Sequence, residues 1–139
     1  MDARVGDAPA DAGEEEALLL ESIDKWLERE VRPHVMRIEH ADEYPAEMVE
    51  QMKALGLFGA TIPAEYGGLG LPATTYARIV ERISAVWMSL TGIFNSHLIM
   101  AAIVNRMGTE AQRRHYLPRF ASGELRGGLA LTEPDCGTD

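Results

Sequence analysis

Side chains able to do chemistry gather at two places in this 139-residue chain. One is Asn95, Ser96 and His97, set inside a 19-residue stretch (86–104) that carries no formal charge. The other is "LALTEPDCGTD" (129–139), a short apolar run that leads into Thr132, Glu133 and a Pro-Asp-Cys-Gly turn. Glu133 invites assignment as a base, because a positioned carboxylate can take a proton near neutral pH. Cys136 is the single cysteine, so no internal disulfide forms and nothing indicates an oxidising compartment; a cytoplasmic location is the default. His97 has no second histidine or carboxylate at helical metal-ligand spacing, and a metal site is rejected. A hydrogen-bonded core histidine is preferred to one that looks into a cavity.

Composition narrows the partners. The net charge is −9, of which residues 1–16 supply −5, with six acids against Arg4. Phosphate backbones require clustered basic residues, and the densest basic group, Arg113-Arg114-His115, reads as a solvated helix face, so no nucleic-acid partner is expected. The leader 1–16 has neither an apolar run nor a basic start and reads as a disordered acidic segment, not a targeting signal. The uncharged stretch 86–104 has the length of a membrane span. Its central Asn-Ser-His would be penalised in hydrocarbon, and a helix buried in a protein core is preferred.

The elements that must position these groups are helical. Leu19, Ile23, Trp26, Leu27 and Val31 repeat at spacings of three and four, and Pro33 interrupts that helix before Val35 and Ile38 continue its apolar face. A second helix opens at Pro45, buries Met48, Val49, Met52 and Leu55, and stops at Gly56. The segment 57–73 packs two prolines and four glycines into seventeen residues and reads as a structured loop. Thr74 or Thr75 then caps a helix through Ile79 and Ile83, with a break expected at Ser89 or at Thr91-Gly92, so that two consecutive helices result. Thr109 and Gln112 form a capping box for a last helix with Tyr116, Leu117 and Phe120 inward. After Leu125 the period becomes that of a strand, with Leu129 and Leu131 on one face. One strand cannot form a sheet, so the chain reads as cut at the start of a second domain. The expected organisation is a leader (1–16), a helical domain (17–124) and the start of a β-domain (125–139).

The run "LALTEPDCGTD" resembles the Thr-Glu-Pro-x-x-Gly-Ser/Thr-Asp signature of the acyl-CoA dehydrogenase family. "EYPAEMVEQMKALGLFG" (43–59), "IPAEYGGLG" (62–70), "GTEAQRRHYLP" (108–118) and "ASGELRGGLALTEP" (121–134) match that family in the expected order, so that the resemblance covers about residues 18–139. It implies an all-α bundle of the family's N-terminal type that ends in one strand of an absent middle β-domain. A four-helix C-terminal domain and a homotetramer belong to the same expectation. FAD would be the cofactor, an acyl-CoA thioester the substrate and an electron-transfer acceptor protein the partner.

By that resemblance, Leu129 and Leu131 lie against the flavin ring, with backbone bonding at Leu131, and Thr132 bonds near the hydride-accepting nitrogen. Gly137 allows close backbone approach, and Thr138 stands where a serine is commoner at the phosphates. Cys136 takes the place of a small residue. The family's base is a carboxylate of the C-terminal domain, so Glu133 is structural and no catalytic residue is expected here. The acyl chain is expected against Gly92, Asn95 and Ile99. Two alternatives stay open: a stand-alone helical interaction module, and an acyl-CoA oxidase or flavin monooxygenase of the same fold.

Overall fold

The computed structural model describes residues 10–137. Among the described residues five α-helices surround one core: α1 (Ala10–Trp26), α2 (Val35–His40), α3 (Ala46–Ala54), α4 (Ala73–Met107) and α5 (Glu110–Ala121). The all-α class is as expected, and no sheet is present among the described residues.

Residues 10–16, expected within an irregular leader, form the first turns of α1; residues 1–9 lie outside the described residues. Glu16 explains why helix is favourable there. Its carboxylate accepts the Thr75 hydroxyl at 2.8 Å and pairs with Arg78, which ties the start of α1 to the start of α4. Leu20, Ile23, Trp26, Leu27 and Val31 form the buried stripe. The helix continues into a π-turn, Leu27–Val31, in which the Arg32 amide reaches back to the Leu27 carbonyl at 2.8 Å. A wider turn is one way to end a helical ladder just before Pro33, which has no N–H to extend it. The expected interruption therefore falls at residues 32–34, and α2 resumes with Ile38 buried.

The segment between α3 and α4 folds on itself through backbone hydrogen bonds. Leu69 N donates to Gly59 O at 2.9 Å, Gly70 N to Ile62 O at 2.9 Å and Leu71 N to Ala60 O at 2.8 Å. Gly68 passes so close to Ile62 that a Cβ would stand 2.0 Å from its carbonyl oxygen, so the crossing excludes any side chain. Two short 3₁₀ turns, Leu57–Gly59 and Ala64–Tyr66, complete the segment and send Phe58 into the core.

α4 is a helix of 35 residues with one non-helical residue, Trp87 (φ −156°, ψ 103°), which divides it into two helical halves. The break thus exists, but before Ser89 and Thr91-Gly92, where it was expected. The Ser84 and Thr91 hydroxyls lie 2.9 Å apart across it and brace the bend. The expected threonine cap is also displaced: Pro72 precedes the helix without a side-chain cap, and Thr75 is buried on Glu16. By length and composition α4 is apolar enough to cross a membrane, yet it carries a buried stripe of Leu90, Phe94, His97, Leu98 and Ala101. α4 as a whole packs against α1, α5 and the Leu57–Gly59 turn, as a core helix does.

α5 starts with the expected capping box, Thr109 N to Gln112 Oε1 at 2.8 Å and Gln112 N to Thr109 Oγ1 at 3.3 Å. Leu117 and Phe120 point inward, whereas Tyr116 is 38% exposed and stacks on the Phe120 ring at 5.9 Å. The strand expected after Leu125 is not formed: residues 126–132 have no regular structure, and the one bridge joins Glu133 to Cys136. A period-2 pattern specifies which side chains share a face, but a ladder needs a neighbour to bond.

Candidate functional site

The candidate residues fall on two surfaces that one buried side chain connects. α4 beyond its bend presents Gly92, Asn95 and Ile99 along one face, as their spacings of three and four require. Gly92 and Ile99 are exposed, and a Cβ on Gly92 would meet nothing within 4 Å. Met88 and Ile103 are exposed too. Asn95 is half-buried, and its Oδ1 accepts the Tyr76 hydroxyl at 2.5 Å, which ties the two halves of α4 together. Burial raises the pKa of Tyr76, so its hydroxyl stays a donor at neutral pH.

The second surface is the segment that leaves α5. Leu129 and Leu131 are exposed, at 40% and 76%, and Thr132 is exposed beside them. The amides of residues 128–132 and the Thr132 hydroxyl make no hydrogen bond to protein among the described residues. Next comes a tight turn closed by two backbone bonds, Glu133 N to Cys136 O at 2.9 Å and Cys136 N to Glu133 O at 3.2 Å, with Pro134 and Asp135 at its tip. The turn folds Gly137 back on Thr132, so that a Cβ at Gly137 would lie 3.3 Å from Thr132 Cγ2. Thr138 lies outside the described residues. Glu133 acts here through its backbone, while its side chain is exposed.

His97 links the surfaces. It is completely buried, with its ring edge-on to Phe58 and Phe120 at centroid distances of 5.2 and 5.3 Å. Its Nε2 lies 3.0 Å from Phe58 O and 3.1 Å from Phe120 O, and its Nδ1 accepts the Gly127 amide at 3.1 Å. Desolvation lowers its pKa, and the nearby Arg126 charge adds a smaller push the same way. This is the hydrogen-bonded core histidine of the sequence reading. The role of Gly127 was missed, and the adjacent glycines of "RGGLALT" were the available signal. Among the described residues no cluster of three metal-ligating side chains exists.

An isoalloxazine needs an apolar surface, backbone donors and acceptors, and close approach. Leu129, Leu131, the unbonded amides, Thr132 and the folded-back Gly137 provide these, so the segment fits such a group. A cleft of about 480 Å³ lined by Glu16, Leu19, Leu55, Leu69, Leu71 and Thr75 includes none of these residues.

Comparison with known proteins gives this arrangement its context. The sequence model described as "Acyl-CoA dehydrogenase, N-terminal domain" matches residues 13–124. A short-chain-specific acyl-CoA dehydrogenase of Clostridium acetobutylicum is 35% identical over 126 residues, which cover 90% of this chain and 33% of that protein. A mitochondrial isovaleryl-CoA dehydrogenase of Pongo abelii is 36% identical over 141 residues, covering 97% and 33%. Among solved structures, butyryl-CoA dehydrogenase from Megasphaera elsdenii superposes with a TM-score of 0.81 at 26% identity, over 100% of this chain and 36% of that one. The chain thus spans about a third of the length of these relatives.

Proposed function

Because the chain belongs to the acyl-CoA dehydrogenase family, we propose that it forms the N-terminal part of an FAD-dependent enzyme that desaturates an acyl-CoA thioester. The observation that carries this reading is the exposed segment 129–132, apolar and rich in uncommitted backbone groups, together with the open face of α4. Bound FAD would accept the hydride from the β carbon.

The work of this chain is placement. Leu129 and Leu131 offer an apolar bed, and the Leu131 backbone and the Thr132 hydroxyl offer hydrogen bonds to the flavin. Gly137 keeps the turn slim, and Thr138 serves the phosphates. Gly92, Asn95 and Ile99 border the acyl chain, where the missing side chain of Gly92 leaves room. The base that takes the α proton comes from outside this chain, as do most of the flavin contacts, so the 139 residues alone bind no FAD and are inactive. The whole enzyme assembles as a homotetramer and hands its electrons to an acceptor protein.

Thr132→Ala in the natural polypeptide that carries this chain tests the placement. One lost hydrogen bond should weaken FAD binding by about five- to tenfold, shift the flavin spectrum and slow reduction. Unchanged spectrum and reduction rate would remove Thr132 from the site.

A further inference from the structure

The segment that carries the candidate flavin contacts is tied to the helical bundle at its root by two hydrogen bonds: the Gly127 amide donates to His97, and the Arg126 guanidinium, which lies over the Tyr44 ring, donates to the Tyr44 hydroxyl. Carbonyl oxygens only accept, so the His97 nitrogen facing Phe58 O and Phe120 O bears the hydrogen. The nitrogen that accepts from Gly127 is bare. The ring is therefore neutral and fixed in one tautomer, Nε2–H. Three elements meet on it: the Leu57–Gly59 turn, the end of α5 and the first residues of the exit segment. Only glycine brings its amide this close, since a Cβ on Gly127 would stand 2.6 Å from Met100 Cγ and 2.9 Å from Met100 Cβ.

We propose that His97 is a positioning residue whose Nε2–H tautomer fixes where residues 127–137 leave the bundle, and hence how Leu131 and Thr132 are presented to the flavin. The flavin half of this statement rests on the function proposed above; the clamp itself does not. The two ring nitrogens divide the labour. Nε2 binds the core together, and Nδ1 holds the exit segment.

Protonation would set Nδ1–H against the Gly127 N–H, two donors facing each other, and break the Gly127 bond while leaving the Nε2 bonds in place. From the exit segment Arg126 is the charge that acts on the ring; the Leu57–Gly59 turn and α5 present the Phe58 and Phe120 carbonyls, and α4 has no formal charge over residues 86–104.

The side-chain amides of Gln and Asn separate the two nitrogens, because Gln reaches the Nε2 position as a donor and Asn the Nδ1 position as an acceptor. In this chain without flavin, His97→Gln is expected to speed amide hydrogen exchange at Gly127 about tenfold while the α5 core amides change less. His97→Asn should keep Gly127 protected. Imidazole ¹⁵N shifts of the unsubstituted chain should show the Nε2–H tautomer, a readout that stands even if neither variant folds. A proton on Nδ1, or equal Gly127 exchange in the Gln variant and the parent, would overturn the clamp. In the natural polypeptide, His97→Gln should alter the flavin spectrum and His97→Asn restore it; altered exchange with an unaltered bound-flavin spectrum would overturn the positioning role. Failure of the polypeptide to bind FAD would instead count against the proposed function, with the exchange result still deciding the clamp.

Discussion

Trp26 and Trp87 are both buried, yet only Trp26 has a partner for its indole N–H. Trp26 Nε1 donates to Gln51 Oε1 at 2.7 Å, whereas Trp87 Nε1 is buried without a hydrogen bond among the described residues. Replacing either by Phe removes the same volume, but only at Trp26 is a bonded partner left behind. Urea unfolding should therefore show Trp26→Phe to be about 1 kcal/mol more costly than Trp87→Phe; equal costs would contradict this account. His97 supplies a second residue-scale prediction, through pH. Burial lowers its folded pKa, so between that value and the ordinary imidazole value of about 6.5 the unfolded chain binds the proton and the folded chain does not. Its stabilising contribution is complete above about pH 6.5 and declines as pH falls below it. Glu16, lowered by Thr75 and Arg78, and Glu110, lowered by Arg114 and Arg113, weaken the fold only further down, below their usual value of 4.5. Unfolding midpoints at pH 7 and pH 5 check the sign, and equal midpoints would contradict it. At this scale the sequence indicated a core histidine from its apolar surroundings. It did not indicate which carbonyls and which amide the ring would join, because those come from residues 39, 23 and 30 positions away.

At the scale of elements, the features set by neighbouring residues were legible and those set by distant packing were not. The capping box of α5 involves residues three apart, and the structure contains it. Thr109→Ala should cost about 1 kcal/mol, measured by thermal or urea unfolding. The bend of α4 falls at Trp87, which no local propensity marks, and not at Ser89 or Thr91-Gly92, whose residue types are tolerated within an apolar helix. The threonine cap was misplaced too: Thr75 bonds Glu16, 59 residues away in sequence. The alternating pattern of 126–132 predicts a strand, but the segment has no ladder partner among the described residues and no regular structure forms. Gly92 joins this scale to function. In a helix, Gly92→Ala should raise stability by up to about 1 kcal/mol, because the added Cβ meets nothing. If Gly92 borders the acyl chain, the same substitution in the natural polypeptide should raise KM for longer thioesters more than for short ones; an unchanged chain-length preference would take Gly92 out of the site.

At the scale of the molecule, one core serves two open surfaces. Phe58, Phe94, His97 and Leu117 form a fully buried centre, while Met88, Ile99, Ile103, Leu129 and Leu131 remain exposed on α4 and the exit segment. Scattered apolar exposure is ordinary, and Leu18, Met36, Tyr44 and Leu69 are exposed elsewhere; the exposed residues of α4 and of the exit segment are those the proposed function uses. The most direct measurement is the absorption spectrum of the natural polypeptide that carries this chain, before and after anaerobic addition of acyl-CoA thioesters of different chain lengths. Bound flavin is expected, with a visible band that bleaches with at least one thioester as the matching enoyl-CoA forms. A polypeptide that binds no flavin, or one whose flavin none of the thioesters reduces, would contradict it.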